Sequence, residues 1–228
     1  MLALTPMRRP TKSLLVVGAC AGFVLLGAAG EVLLHPDLLP KSMAAQRDPQ
    51  STPVNRAQLE EILGRAATRL DAGLRAKLAE AVFSESERAG YDPLFILALV
   101  AVESRFRISV SSERGAYGLM QLKPSTFAWI AGREPDLDDD VAVAEDPVLD
   151  VRLAVRYFRW LEHRFHDRDD ALMAYNAGPR RLQQYKKTAI PDSLREYPKR
   201  VMREYTRFVK MVGTGVDIGG VMIAGNVN

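Results

Sequence analysis

The chain has 228 residues, of which 47% are hydrophobic and 26% charged, and its formal net charge is +3. These values are typical of a globular protein with room for one domain, and the small net charge disfavours a dedicated nucleic-acid binder. The single cysteine, Cys20, excludes an internal disulfide framework, and the 3 histidines form no zinc signature, so we expect neither a metal nor another cofactor.

The N-terminal segment has the pattern of a membrane-targeting sequence. Basic residues within the first twelve positions precede a run without charges from 13 to 30. The run is longer than a usual signal-peptide core and close to the about 20 residues of a spanning helix. We therefore expect residues 1–34 to hold the chain at the inner membrane, with the remainder in the periplasm. Cleavage near Gly30 and lipid attachment at Cys20 stay open as alternatives.

The rest of the chain divides into a linker over 35–54, a folded domain over 55–212 and a loose tail over 213–228. Prolines and polar residues mark the linker, and helical periodicity dominates the domain, without a strand pattern or repeat. Gly178-Pro179 is expected to close one helix, and Pro198 is an obstacle inside the last. We predict a compact all-α domain. Its predicted helices span 56–70, 73–88, Pro93 through Glu103, 124–130, 147–165, 169–175 and 193–211.

One carboxylate follows an entirely apolar run. Every side chain from Phe95 to Val102 is apolar, and Glu103 comes next. On a helix Glu103 shares a face with Ile96 and Leu99, which should desolvate its carboxyl and raise its pKa. A carboxylic acid that keeps its proton near neutral pH can serve as a general acid. The alternative is a glutamate at the helix end that turns out to water, and this segment alone leaves both open.

Further motifs resolve the choice. The stretches "ESRF" (Glu103–Phe106), "GAYGLMQL" (Gly115–Leu122) and "AYNAGP" (Ala174–Pro179), with "EYPKRV" (Glu196–Val201) after them, occur in this order with helices between them. Together they resemble the soluble-type lytic transglycosylases, which share a lysozyme-like fold with goose-type lysozyme. The resemblance runs from about Leu74 to Phe208.

This resemblance implies cleavage of the β-1,4 bond between N-acetylmuramic acid and N-acetylglucosamine in peptidoglycan. Glu103 would be the single catalytic acid and later the base. Ser112 and Gln121 would bind the sugar rings or their N-acetyl groups, Tyr175 would lie over the cleft, and Asn176 would shape the site. The alternative for Ser112 and Gln121 is that they only hold their loop, and for Tyr175 that it is only a half-buried aromatic.

The type of reaction follows less directly. Ordinary glycosidases use two carboxylates, and no obvious second one stands beside these motifs. Glu113 is the nearest candidate, and we expect it to be solvated. The resemblance implies instead that the substrate's N-acetyl carbonyl assists and that a 1,6-anhydro ring closes. The alternatives are a lysozyme that uses water and an inactive glycan-binding or assembly module. The expected partners are peptidoglycan strands and the inner membrane, with no nucleic acid, and the expected state is a monomer.

The sequence departs from the family pattern at a few positions. Lys123 stands where a methionine is frequent, and Asp150 and Val155 stand where Asn and Gly are common. None of the three is the proposed acid, but Lys123 bears on the shape of the neighbouring sugar subsite.

Overall fold

The computed structural model describes residues 54–134, 136–137 and 146–213. Within these ranges every regular element is an α-helix, accompanied by isolated β-bridges that join Tyr117 to Ser111 and to Leu122. The predicted all-α class is therefore confirmed. The helices are α1 (Arg56–Ala66), α2 (Ala72–Ala89), α3 (Pro93–Ser104), α4 (Pro124–Ala131), α5 (Pro147–Phe165), α6 (Arg168–Ala177), α7 (Pro179–Lys187) and α8 (Asp192–Gly213).

The predictions for residues 1–34 and for the linker up to residue 53 lie outside the described residues, as does the tail from residue 214. Among the helices that the structure describes, none combines the length and the apolar character needed to cross a bilayer.

Local sequence signals set the helix ends. Asn55 and Gln58 form a reciprocal capping box at the start of α1. Asp92 and Asp146 accept hydrogen bonds from the first backbone N–H groups of α3 and α5, and a proline occupies the first turn of each helix. Gly90 ends α2 in the left-handed conformation, with a φ of 76°.

Helix α3 forms the centre of the domain. Its residues from Pro93 to Ala101 are all buried, which is the pattern of a helix surrounded by protein on every side. Helix α8 packs against α3, while α5 packs against α2, α4 and α6. Helix α8 reaches the C-terminal end of α3, because Tyr197 of α8 contacts Glu103 in the last turn of α3.

Two details differ from the sequence predictions. Helix α1 ends at Ala66 rather than at residue 70, because Ala67 leaves the helical conformation. Gly178, with a φ of 91°, ends α6, but the following Pro179 starts the unpredicted helix α7. As predicted, α8 runs through Pro198, whose ring is buried. A proline there removes one backbone hydrogen bond, and tertiary packing outweighs that loss.

Candidate active site

Glu103 lies in the last turn of α3, with a half-buried side chain. The helix stops directly after it because Arg105 and Phe106 adopt left-handed backbone angles, with φ values of 53° and 58°. Burial raises the pKa of the Glu103 carboxyl to about 7, against the opposing effects of a hydrogen bond from Tyr197 and the charge of Arg200. A carboxyl with this pKa can hold a proton at neutral pH and release it to a leaving group.

Helix α8 supplies the polar contact of this acid. The Tyr197 hydroxyl donates a hydrogen bond to Glu103 Oε1, and the Tyr197 side chain is otherwise buried. The Arg200 guanidinium lies 5.3 Å from the centre of the Tyr197 ring. Tyr197 therefore fixes the orientation of the acid, and Arg200 adds a positive charge near it. In the sequence, Tyr197 stood out only as part of the "EYPKRV" element, and no role for it could be predicted.

The loop after α3 is held by its own polar groups. Ser112 Oγ accepts a hydrogen bond from the Ala116 N–H at 3.0 Å, and the Ser112 carbonyl accepts one from Gly115 N–H at 2.9 Å. Gly115 and Gly118 have φ values of 75° and 86°, a region in which a side chain would be strained. The exposed Ser112 hydroxyl thus supports the loop while its proton stays available for a second partner.

Gln121 also holds this loop. Its side-chain Nε2 donates hydrogen bonds to the carbonyls of Val110 and Gly118, both at 2.9 Å. Its own φ is 52°, an uncommon value for a residue other than glycine. Both side-chain N–H groups are therefore engaged, and Gln121 Oε1 is the atom that can still accept a hydrogen bond from a ligand.

Two further side chains bind the backbone of this loop: Tyr175 from α6 and Asp150 from α5. The Tyr175 hydroxyl donates to the Met120 carbonyl at 2.8 Å, while the Met120 N–H donates to Asp150 Oδ2 at 2.9 Å. Burial raises the pKa of Tyr175 well above its ordinary value, and the negative charges of Glu103 and Asp150 add to this effect. The hydroxyl therefore stays a donor. The backbone N–H and the backbone carbonyl of Met120 are thus both held by side chains.

The structure brings the predicted site residues together unequally. Glu103 and Tyr175 share one region, since the charge of Glu103 contributes to the raised pKa of Tyr175. Gln121 joins them through its neighbour Met120. Ser112 comes earlier in the loop than Gln121 and is exposed, and Asn176 is exposed near the end of α6. Asn176 makes no hydrogen bond to the other site residues in the described part of the chain.

Comparison with known proteins assigns this helical domain, with an acid of raised pKa beside a polar loop, to a family. Residues 80–194 match the family model of the transglycosylase SLT domain. The chain therefore belongs to the transglycosylase SLT domain family.

Individual relatives agree with this assignment. The chain is 37% identical over 84 residues to the endo-type membrane-bound lytic murein transglycosylase A of two Klebsiella pneumoniae strains, over 34% of this chain and 41% of the relative. An inactive mutant of lytic transglycosylase Slt from Pseudomonas aeruginosa superposes with a TM-score of 0.51 and 24% identity, over 68% of this chain and 28% of that one. A 70-kDa soluble lytic transglycosylase in complex with bulgecin A superposes with a TM-score of 0.52 and 18% identity. This match covers 72% of this chain and 31% of that one.

The matches cover only part of each known protein. The chain spans about two fifths of the length of the curated relatives and less than a third of each solved structure. The two structures show that the fold is shared. Within the described residues, no group of three His, Cys, Asp or Glu side chains lies close enough together to hold a metal ion.

Proposed function

We propose that this protein is a peptidoglycan lytic transglycosylase that cleaves the β-1,4 bond between N-acetylmuramic acid and N-acetylglucosamine. The observation that carries the proposal is the carboxyl of Glu103 at the end of α3, whose pKa burial raises to about 7. Family membership and the lytic transglycosylase names of the relatives support the same substrate class.

The first half of the reaction uses Glu103 as an acid. Its proton passes to the glycosidic oxygen, so the bond from that oxygen to C1 of the muramic residue breaks and N-acetylglucosamine leaves. The N-acetyl carbonyl of the muramic residue stabilises the positive charge that develops at C1. The Tyr197 hydroxyl stabilises the carboxylate that Glu103 becomes, because a hydrogen bond to the ionised form favours it.

The second half uses Glu103 as a base. The carboxylate takes the proton from the C6 hydroxyl of the same muramic residue, and the C6 oxygen bonds to C1. This closes the 1,6-anhydro ring and returns Glu103 to its protonated state. A carboxyl with a pKa of about 7 suits both roles, because neither protonation state is strongly favoured at neutral pH.

Substrate binding is assigned to the neighbouring polar groups. Glycans present hydroxyl and amide groups, which pair with the free Gln121 Oε1 and the Ser112 hydroxyl. Tyr175 acts mainly by fixing the Met120 peptide, since its hydroxyl is already engaged there. Asn176, which is exposed near the end of α6 and follows Tyr175 in the chain, is assigned to the shape of the site. The loop contacts of Ser112 and Gln121 are compatible with both proposed roles, support and binding.

Two other functions remain alternatives. A lysozyme would use the same acid with water as the acceptor, and an inactive module would bind the glycan without cutting it. The retained acid and its raised pKa favour an enzyme over the inactive module.

The proposed activity is tested by incubating the full chain with purified, insoluble peptidoglycan and identifying the soluble products by mass. We expect soluble muropeptides that end in 1,6-anhydro-N-acetylmuramic acid and no new reducing ends. Products with reducing muramic acid would assign a lysozyme. Binding to peptidoglycan without any soluble product would assign the inactive module.

We further propose that the first 34 residues anchor the chain in the inner membrane, with the domain in the periplasm. The apolar run and its basic flank support this location, and the Klebsiella relative carries the name membrane-bound. The intact mass of the native protein from isolated membranes should equal that of the uncleaved chain. A soluble form that starts near Glu31, or a lipid on Cys20, would contradict the anchor.

A further inference from the structure

A groove lies along α8, next to the first turn of α6, and we call it the α8 groove. It has a volume of about 630 Å³, and among the described residues its lining belongs to α8 except for Asp169 of α6. Four of the lining side chains are basic: Lys199, Arg203, Arg207 and Lys210. The proposed reaction uses none of these residues. A concave surface lined by cations concentrates anions, so the groove suits an anionic ligand.

The four basic side chains form a row. They follow one another at intervals of four, four and three positions, which places them on one face of the helix. At a rise of about 1.5 Å per residue, Lys199 and Lys210 lie roughly 16 Å apart along the helix axis. Lys199 comes two positions after Tyr197, whose hydroxyl binds Glu103. The row therefore starts within one helical turn of the residue that contacts the proposed acid.

The ion pairs of these cations on α8 are exposed to solvent. Glu196 binds Lys199 at 2.7 Å and reaches Arg203 only at 3.9 Å, which is too long for a hydrogen bond. Arg207 binds Glu204 at 2.8 Å. The side chains of Lys199 and Arg203 are 63% and 64% exposed, and exposed pairs of this kind are weak. A carboxylate of a ligand can therefore compete with Glu196 for both cations.

The rest of the lining adds apolar surface and one acid. Pro198 and Met202 lie between the cations, and Met202 is 42% exposed, although large apolar side chains are mostly buried in the described part of the chain. Asp169 is the acidic residue among the described residues that line the groove. The groove thus offers several positive charges, an apolar strip and a single negative charge.

We propose that the α8 groove binds the peptide stem of peptidoglycan. The choice of this occupant rests on the proposed function. A stem is a short peptide with several carboxylates, alanine methyl groups and, where it contains a diamino acid, one ammonium group. The carboxylates pair with the row of cations, the methyl groups lie on Met202 and Pro198, and the ammonium group pairs with Asp169. An extended tetrapeptide spans at most about 14 Å, which fits within the length of the row.

The shape and charge of the groove favour a stem over a lipid surface. Basic residues near an exposed methionine also occur on helices that lie on anionic membranes. A bilayer, however, presents a broad surface whose phosphates all carry the same sign. The α8 groove is concave and includes the carboxylate of Asp169, so it suits a narrow chain that carries charges of both signs.

The test is the binding of the free stem tetrapeptide, L-Ala-γ-D-Glu-meso-diaminopimelate-D-Ala, to the full chain. A neutral dye on the N-terminal amine, the group by which a stem joins the muramic residue, reports binding through fluorescence anisotropy. We expect saturable binding that weakens as salt is added. Lys199→Gln combined with Arg203→Gln should raise the dissociation constant at least about 5-fold, because two charge-assisted contacts are lost. No saturable binding by the wild type would overturn the proposal.

A matched control removes two other cations. Arg180→Gln combined with Lys187→Gln makes the same change of charge at exposed positions of α7, outside the groove. This variant should keep the dissociation constant of the wild type. Equal weakening in the two double variants, both folded by circular dichroism, would mean that general surface charge attracts the peptide, which overturns the proposal.

A competition experiment separates the stem from a lipid headgroup. Unlabelled tetrapeptide should displace the labelled one, whereas glycerophosphoglycerol, the headgroup of phosphatidylglycerol, should not do so at the same concentration. Equal displacement by both would assign the groove to anionic lipid and overturn the stem as its occupant. The tetrapeptide has no glycosidic bond, so its binding is measured without turnover. If the wild type cleaved no peptidoglycan, the proposed function would fail, while these measurements would still decide what the groove binds.

Discussion

Glu103→Gln is expected to lower the release of soluble muropeptides by at least about 10²-fold, because an amide cannot donate a proton as a carboxylic acid does. The substitution keeps the size of the side chain and the oxygen that accepts the hydrogen bond from the Tyr197 hydroxyl. Binding to insoluble peptidoglycan should therefore persist. The rate of solubilisation, with sedimentation for binding and circular dichroism for the fold, measures the three properties separately.

Glu113→Gln is the matched control, because it makes the same change at an exposed position ten residues later. It should keep substantial activity. A Glu103→Gln variant that solubilises peptidoglycan at the rate of this control would remove Glu103 from the mechanism.

Glu103→Gln should also alter the dependence of the protein's stability on pH. The pKa of Glu103 rises from an ordinary 4.5 to about 7 on folding, so the wild type loses stability as the pH rises through this interval. Glutamine does not ionise and avoids that loss. The free energy of unfolding of Glu103→Gln, taken relative to that of the wild type, should therefore be about 1–3 kcal/mol higher above pH 7 than at acid pH. Denaturant unfolding at the two pH values measures this difference. A stability difference that stays constant over this range would mean that the carboxyl is not desolvated.

The largest expected effect on stability comes from Arg156 of α5. Its guanidinium is buried and binds Glu85 of α2 at 3.0 Å, and it also binds Glu134 at 2.7 Å and Asp136 at 2.6 Å in the chain after α4. Glu85 is almost completely buried. Arg156→Ala leaves this carboxylate without its partner, which typically costs about 3–5 kcal/mol. Denaturant unfolding measures the loss.

Arg88→Ala is the control for Arg156→Ala. Arg88 binds Asp136 at 2.8 Å, but both side chains are about half exposed, at 55% and 46%. An exposed ion pair of this kind contributes only about 0–1 kcal/mol. If the two variants lost equal stability, the buried ion pairs of Arg156 would contribute no more to the stability of the fold than an exposed ion pair does.

The fold could be predicted from the sequence where the signals were local. Helical periodicity and the N-caps Asp92 and Asp146 located α3 and α5 closely, because capping and burial act over a few residues. Gly178-Pro179 misled the prediction, since the same pair that ends one helix can begin another. The helix through Pro198 was predicted from its periodicity, although the burial that offsets the proline comes from packing with other helices.

The site could be predicted only in part. The apolar run made Glu103 a candidate, the further motifs decided in its favour, and its raised pKa agrees with the proposed role. Tyr197 was missed as its partner because the two residues are 94 positions apart, and periodicity does not show which helices meet. Asp150 was noticed only as a departure from a family pattern. Its contact with Met120 spans 30 positions and depends on how α5 meets the loop.

The central claim is that Glu103 acts without a second carboxylate and that the muramic C6 hydroxyl, rather than water, attacks C1. Digestion of peptidoglycan in water enriched in heavy oxygen tests it most directly, through the masses of the released glycan ends. We expect 1,6-anhydro ends whose masses are the same in ordinary and in enriched water. Ends heavier by one water, which also take up the heavy oxygen at C1, would contradict it and would mean that a group in this site activates water.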